Sequence, residues 1–334
     1  MGIHTKRYIA GLDVLRGFSC ILIMLYHYTV RYNNNPLFSI APTNWNLSIS
    51  WGCAAVTTFF LLSGFLGAKH IFATKKTMAL YLRDRFIRIY PSFFASVLIT
   101  TIVAYMFYPA AACTPQEVLV NFTMIPQFLG IPYVDGVYWT LQVEWVFYIV
   151  TAITTLFSNK AKKIILLVWL VISICGNIFY EYTNISAINK MNILFASKHV
   201  QEFLIGVAIY LIVTKVEIRF AITTLMLAIA NHLITQDTPH IIFLIVSGLA
   251  IFLVTYYQSD KIFCRWYFRF FSWVGGISYQ VYLLHQVIGF IIIYYLQTKG
   301  YTSTVYIIIP IVVSLFLGYI VQNFVEKPIQ RLCE

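Results

Sequence analysis

The sequence predicts an all-α integral membrane protein, a bundle of about ten transmembrane helices with both termini in the cytoplasm. Of its 334 residues, 60% are hydrophobic and only 10% are charged, and the mean hydropathy is +0.78. Soluble domains carry roughly a quarter charged residues, so lipid must cover much of this chain's surface. The net charge of +11 does not indicate nucleic-acid binding, because the Lys and Arg residues lie in short strips between apolar runs.

Ten apolar segments define the predicted spans, since a bilayer core of about 30 Å needs ~20 mainly apolar residues per helix. They cover residues 10–29, 52–70, 86–108, 137–157, 163–181, 199–214, 219–236, 240–257, 274–297 and 303–325. The first segment contains Arg16 and lacks a small-x-small cleavage site, which favours a spanning helix over a signal peptide. We expect one transmembrane domain over residues 1–334, with no appended soluble domain.

The distribution of basic residues supports this topology. With the N-terminus placed in the cytoplasm, 18 of the 23 Lys and Arg residues fall on the cytoplasmic side. Four fall on the outer side (Arg31, Lys190, Lys198 and Lys299), and one lies within the first span. Cytoplasmic loops of membrane proteins carry such an excess of Lys and Arg. A miscounted helix would have blurred the asymmetry.

The first predicted helix contains three ionisable residues, Asp13, Arg16 and His27, and such groups inside a span are costly enough to suggest function. Asp13 and Arg16 are spaced i, i+3 and can pair on one face. Arg16 and His27 are eleven residues apart. They therefore share a face, about 20° from alignment, and lie roughly 16 Å apart along the axis. The alternative is a snorkelling Arg at one membrane surface and an interfacial His at the other.

A basic segment leads into the third predicted helix with Arg83, Arg85 and Arg88. Guanidinium groups bind phosphate oxygens bidentately, so the spacing of Arg85 and Arg88 on one helix face suits a phosphate or pyrophosphate. Topology and anionic lipid headgroups also require basic residues at this position. The residues alone leave the two interpretations equal.

The fourth predicted helix contains a carboxylate, Glu144, in a stripe with Thr140 and Tyr148. With Trp139 and Trp145 beside it, this stripe is typical of a site that orients a base or stacks on a sugar. A structural ion pair with another helix is the alternative.

The ninth predicted helix places Ser278, Tyr282 and His285 on one face. Seven helical residues separate Ser278 from His285 by about 10 Å, which excludes direct proton transfer between them. We expect His285 to bridge helices or face a tunnel, with helix packing favoured.

Ser63 and Gly64 predict a small-residue contact for close helix approach. The six cysteines show no metal-ligand spacing, so we expect no metal site. We also expect no tightly bound cofactor.

Six motifs together resemble the membrane acyltransferase 3 family along nearly the whole chain. They are Gly11-Leu-Asp-x-Leu-Arg16 with His27, Phe59-Phe-Leu-Leu-Ser-Gly-Phe-Leu66, Arg85-Phe-Ile-Arg-Ile-Tyr-Pro91, Trp139-Thr-Leu-x-x-Glu144-x-x-Phe-Tyr148, Ile277-Ser-Tyr-x-x-Tyr-Leu-x-His285 and Val325-Glu-Lys-Pro328. Each motif alone is weakly specific, whereas six in order on ten spans form a specific pattern.

The resemblance implies transfer of an acyl group, usually acetyl, from cytoplasmic acyl-CoA to a hydroxyl of an envelope glycan, glycolipid or small acceptor. It implies a catalytic role for Arg16 and His27 and importance for Arg85 and Arg88. A stand-alone O-acetyltransferase of O-antigen or a similar surface polysaccharide, in the bacterial inner (plasma) membrane, fits the length best. The expected partners are acetyl-CoA as co-substrate, a glycan or lipid-linked saccharide acceptor, and membrane lipids.

These expectations assign a role to each candidate residue. His27 is the general base that takes the hydroxyl proton, and whether it is transiently acylated is left open. Arg85 and Arg88 hold the CoA phosphates, and Arg83 and Arg16 add positive charge. Glu144 orients His27 or binds acceptor hydroxyls. The candidates for acceptor binding or helix bridging are Asp13, Trp139, Tyr148 and His285. A transporter or flippase of a lipid-linked saccharide is the alternative, and it would move the glycan without changing it covalently.

Overall fold

The computed structural model describes residues 9–38, 41–43, 45–74, 76–257, 263 and 265–333. Throughout these residues the regular structure is helical, and they contain no β-strand. The all-α prediction is therefore confirmed. Four basic residues counted above (Lys6, Arg7, Lys75 and Lys261) and Cys264 lie outside the described residues.

Thirteen α-helices are named here in chain order, within the described ranges. The first seven are α1 Ala10–Tyr26, α2 Val56–Phe72, α3 Met78–Phe107, α4 Pro115–Asn121, α5 Trp139–Thr154, α6 Asn159–Thr183 and α7 Ser186–Leu194. The other six are α8 Val200–Thr214, α9 Ile218–Thr235, α10 Thr238–Tyr257, α11 Trp266–Thr298, α12 Ile308–Val321 and α13 Lys327–Cys333. Two π-helical segments, His27–Arg31 and Gln322–Glu326, follow α1 and α12 directly.

Eight helical segments among the described residues are long and apolar enough to cross a membrane. Each of the ten predicted spans coincides with a helix, but α5 and α8 are not among these eight segments. Helix α5 has 16 residues and α8 has 15. At 1.5 Å per residue they are roughly 24 and 22 Å long, less than the ~30 Å hydrocarbon core.

Local backbone features account for these short helices. A 3₁₀ turn, Gly136–Tyr138, precedes α5 and is capped by Asp135. Helix α8 ends where Lys215 adopts the left-handed conformation, with φ 57°. Helices α3 and α11 begin well before their predicted spans (86–108 and 274–297), at Met78 and Trp266. The basic segment therefore lies within α3 and not at its first turn.

The described chain forms two compact units. Four of the five boundaries between them fall inside α1, α3, α5 and α11, and the fifth falls at the start of α2, between Ala55 and Val56. The first unit contains the described residues up to Leu15 with Val56–Arg85 and Val143–Arg269. The second unit contains Arg16–Ala55, Phe86–Gln142 and the described residues from Phe270 onward.

Glycines allow close packing of α2 against α8 in the first unit. A Cβ on Gly64 would lie 1.9 Å from the Phe203 carbonyl oxygen, and one on Gly206 would lie 2.1 Å from the Leu61 carbonyl oxygen. Only hydrogen fits at both positions, so the two backbones approach closely. The predicted small-residue contact at Gly64 is confirmed, whereas the neighbouring Ser63 makes a polar contact described below.

Candidate functional site

A pair of histidines forms the centre of the second unit. Nδ1 of His27 lies 2.6 Å from Nε2 of His285. His285 is fully buried on α11, and His27 is half-buried at the start of the π-helical segment. His285 thus bridges two helices, and it does so through the residue predicted to be the base.

The hydrogen bonds fix the tautomers of the pair when both rings are neutral. Nδ1 of His285 lies 2.8 Å from the carbonyl oxygen of Tyr282, which can only accept, so this nitrogen carries a proton. Nε2 of His285 is then an acceptor, and Nδ1–H of His27 donates to it. The remaining nitrogen of His27, Nε2, therefore has a free lone pair, as a general base requires.

Tyr28 holds α11 beside the histidine pair. Its buried hydroxyl donates to the His285 carbonyl oxygen at 3.0 Å and lies 2.9 Å from Ser314 Oγ on α12. A Cβ on Gly289 would lie 2.3–2.7 Å from the Tyr28 ring and hydroxyl. The absence of a side chain at Gly289 therefore makes room for this ring. Two helices are fixed next to His27 through one side chain.

Asp135 fixes the other side of α11. This fully buried carboxylate accepts from the backbone N–H of Val137 at 3.2 Å and from that of Val287 at 3.0 Å. Val287 is two residues beyond His285, so the turn that begins at Asp135 is tied to the helix segment that contains the second histidine. Burial raises the pKa of Asp135 to about 7, and the two N–H donors offset part of that rise.

The backbone becomes irregular at His27 itself. The Tyr32 N–H donates to the His27 carbonyl oxygen at 2.8 Å, an i to i+5 bond. Such π-helical turns recur at functional sites. The backbone from Arg16 to Tyr26 is regular α-helix, and the π-helical segment begins only at His27. The helix geometry used to place Arg16 and His27 on one face therefore applies as far as Tyr26. Arg16 is half-buried and engages in further contacts, as does Asp13.

Glu144 belongs to a separate cluster in the first unit. Its Oε1 accepts a hydrogen bond of 2.7 Å from Ser63 Oγ and another from the Tyr148 hydroxyl. Helices α2 and α5 are thereby joined through a half-buried carboxylate. The hydrogen bond that orients the His27 ring, at its Nδ1, is made with His285, whereas Glu144 bonds Ser63 and Tyr148.

Arg85 completes this cluster as a cation held between aromatic rings. Its Cζ lies 5.2 Å from the Tyr81 ring centre and 5.4 Å from that of Tyr148, within cation–π range. One terminal N–H donates to His70 Nε2 at 3.1 Å, and the Glu144 carboxylate is close enough to interact electrostatically. The buried Nε–H makes no hydrogen bond to the described residues.

The other predicted residues have looser surroundings. Arg83 is exposed and lies 3.4 Å from Asp84, and Arg88 is exposed one turn beyond Arg85 on α3. Trp139 is half-buried at the first position of α5 and makes further contacts. Arg83 and Arg88 are therefore exposed, whereas Arg85 is packed between aromatic side chains.

A third polar cluster ends at the closing motif. Glu326 Oε2 accepts from Ser92 Oγ at 2.9 Å and from Gln280 Nε2, and its Oε1 accepts from Gln330 Nε2 at 2.8 Å. Glu326 also ends the second π-helical segment and interacts electrostatically with Arg88. It joins α3, α11 and the C-terminal helix within the second unit.

Asp135, His70 and Glu326 had no role in the sequence-based predictions. Asp135 is followed by Gly136 in an apolar stretch, a sequence signature of a turn and a helix cap, which could have marked it. The contact between His27 and His285 cannot be predicted from local sequence, because 258 residues separate them. Nothing in the local sequence distinguishes His70 from a His at a membrane surface.

The family model described as an acyltransferase domain, that of the acyltransferase 3 family, matches residues 9–322. No curated protein and no solved structure gives a significant match. The matched region contains both histidines, the Glu144–Arg85 cluster and all but the last of the eight candidate spans in full. This chain therefore belongs to the acyltransferase 3 family and is a multi-pass membrane protein with an acyltransferase domain.

Proposed function

We propose that the protein transfers an acetyl group from cytoplasmic acetyl-CoA to a hydroxyl of a cell-envelope glycan, such as O-antigen, in the bacterial inner membrane. The observation that supports this best is the histidine pair. It leaves Nε2 of His27 with a lone pair at a half-buried position in an acyltransferase domain.

The proposed reaction begins with proton transfer from the acceptor hydroxyl to His27 Nε2. The hydroxyl oxygen attacks the thioester carbonyl carbon, a C–O bond forms, and the C–S bond breaks. The CoA thiolate leaves and takes the proton from His27, so no other reactant is needed. His285 Nε2 accepts from His27 Nδ1–H throughout, which orients the ring and stabilises its cationic form.

We assign the cluster around Arg85 to the CoA phosphates. A guanidinium held between two tyrosine rings is pre-oriented, and this reduces the entropy lost on binding. The exposed Arg83 and Arg88 add charge on the same helix, and Arg16 adds positive charge at the donor or oxyanion. Glu144 balances the charge of Arg85 and holds Tyr148 in place. Acyl-CoA is thus a co-substrate and not a resident cofactor.

A flippase would use the same buried charges to pass a lipid-linked saccharide. It requires no acyl-CoA and no oriented imidazole lone pair. The tautomers deduced for His27 and His285 therefore favour the enzyme.

The test uses membranes that contain the protein, a lipid-linked glycan acceptor and radiolabelled acetyl-CoA. We expect base-labile label on the glycan, and a rate about 10²–10⁴ lower for His27→Ala. His240→Ala is the matched control, because His240 bonds Asp237 at the turn before α10 and has no proposed role. Full activity of folded His27→Ala would refute the mechanism, and glycan movement without label would establish the flippase.

A further inference from the structure

The first unit contains an apolar cavity of about 420 Å³ between α8, α9 and α10. Its walls are Ile, Leu and Phe side chains, with Gly248 in one wall and His232 as the one ionisable lining residue. Cavities of this size bind small molecules, and such an apolar lining suits a hydrocarbon. None of these residues has a role in the proposed acyl transfer.

His232 and Glu202 belong to a polar cluster with His199, and His232 lines this cavity. His232 and Glu202 are about 1% exposed or less, and His232 Nδ1 lies 3.6 Å from Glu202 Oε1. Both ring nitrogens of His232 and Oε2 of Glu202 make no hydrogen bond to any part of the chain that the structure describes. Buried polar atoms without partners are costly, so these atoms point to a ligand that can bond them.

The cavity has one polar end and one apolar end. Helix α8 begins at Val200 and α9 ends at Thr235, so Glu202 and His232 lie within one turn of these ends. Gln201 Nε2 donates to Thr235 Oγ1 at 3.2 Å and keeps the two ends together. Along α10 the lining extends from Ile241 to Phe252, roughly 16 Å at 1.5 Å per residue.

We propose that this cavity binds a long-chain alcohol of the membrane, aliphatic or isoprenoid. Its chain lies along the Ile and Leu walls, and its hydroxyl bonds His232 with Glu202 behind it. A hydroxyl can donate and accept at once, which matches an imidazole next to a carboxylate. The Glu202 carboxylate repels a phosphate or carboxylate headgroup, and the apolar walls exclude a sugar. The site is independent of the proposed acyl transfer.

Gly248 allows the cavity to be filled without disturbing its polar end. A Cβ added there meets only Ile209 Cδ1, at 3.6 Å, so the larger side chain of Gly248→Leu extends into the cavity. Val246→Phe is the matched control. It adds bulk to the same helix at a side chain that is 59% exposed and does not line the cavity.

The experiment photolabels the purified full-length protein in a non-ionic detergent with diazirine-tagged dodecanol. We expect saturable labelling of α8 and α10, at least tenfold weaker for Gly248→Leu and unchanged for Val246→Phe. Unlabelled dodecanol should compete about tenfold better than lauric acid or dodecyl methyl ether, and His232→Phe should abolish this preference.

Equal labelling of Gly248→Leu and the unaltered protein would overturn the proposal. So would equal competition by lauric acid, which would identify a general acyl-chain groove. The competition series uses the unaltered protein, so it decides the question even if Gly248→Leu does not fold.

Discussion

The histidine cluster of the second unit and the arginine cluster of the first unit differ in charge. The second unit joins two imidazoles in an uncharged, directional chain of hydrogen bonds, and Tyr28 bonds the backbone carbonyl of His285 beside it. The first unit places the charged pair of Arg85 and Glu144 among hydroxyls and aromatic rings. An uncharged chain with defined tautomers suits proton transfer, whereas a fixed cation suits an anionic ligand. Changes in the two clusters should therefore affect different kinetic constants.

The largest effect that separates the clusters is expected from His285→Phe. This change keeps an apolar side chain in the buried site but removes the acceptor for His27 Nδ1–H, so His27 can adopt the unproductive tautomer. We expect kcat to fall on the order of 10² or more, with KM for acetyl-CoA nearly unchanged. Steady-state acetylation by purified protein in nanodiscs gives both constants. His285→Gln, which retains an acceptor oxygen, should recover part of the rate, and a rise in KM alone would contradict the assignment.

A smaller effect, on KM and not on kcat, is expected from Arg85→Lys in the charged cluster. Lysine keeps the charge but loses the planar group between the two tyrosine rings and the bond to His70. We expect KM for acetyl-CoA to rise about tenfold while kcat changes by less than a factor of about two. Arg83→Lys, at an exposed position of the same helix, should leave both constants unchanged. A loss of kcat without a change in KM would remove Arg85 from the donor site.

The smallest expected effect is a change of stability with pH that is caused by Asp135. Its folded-state pKa of about 7 lies above the ordinary value of 3.8, so the folded protein binds this proton more tightly than the unfolded chain. Stability should therefore fall as pH rises from about 4 to about 7 and show no further contribution above that range. Asp135→Asn should flatten this part of the profile, measured as Tm in detergent against pH. An unchanged slope would mean that Asp135 is not protonated in the folded state.

The fold was predictable because span length, hydropathy and charge distribution are properties of local sequence. All ten predicted spans coincide with helices, and Gly64 makes the close helix contact expected of it. Helix α8 (Val200–Thr214) agrees with its predicted span to within one residue, whereas α5 is shorter than predicted. The start of α5 depends on the 3₁₀ turn capped by Asp135, which hydropathy does not indicate.

The sequence indicated which residues belong to the candidate site but not which of them contact one another. Ionisable residues in apolar segments identified His27, Glu144 and His285, because burial of such groups is costly wherever they fold. Which of them meet depends on tertiary packing. Glu144 was expected to orient His27 or to bind acceptor hydroxyls, and His285 was expected to bridge helices or face a tunnel, with packing favoured. The π-helical turn at His27 likewise leaves no mark in the spacing of apolar residues.

The protonation state of His27 is the most direct test of the proposed base. The protein would be labelled with ¹⁵N-histidine, reconstituted in nanodiscs, and its imidazole nitrogens assigned by NMR with His27→Gln and His285→Gln. We expect at neutral pH that His27 carries its proton on Nδ1 with Nε2 unprotonated, and that His285 is also protonated on Nδ1. A proton on Nε2 of His27 would contradict its assignment as the base.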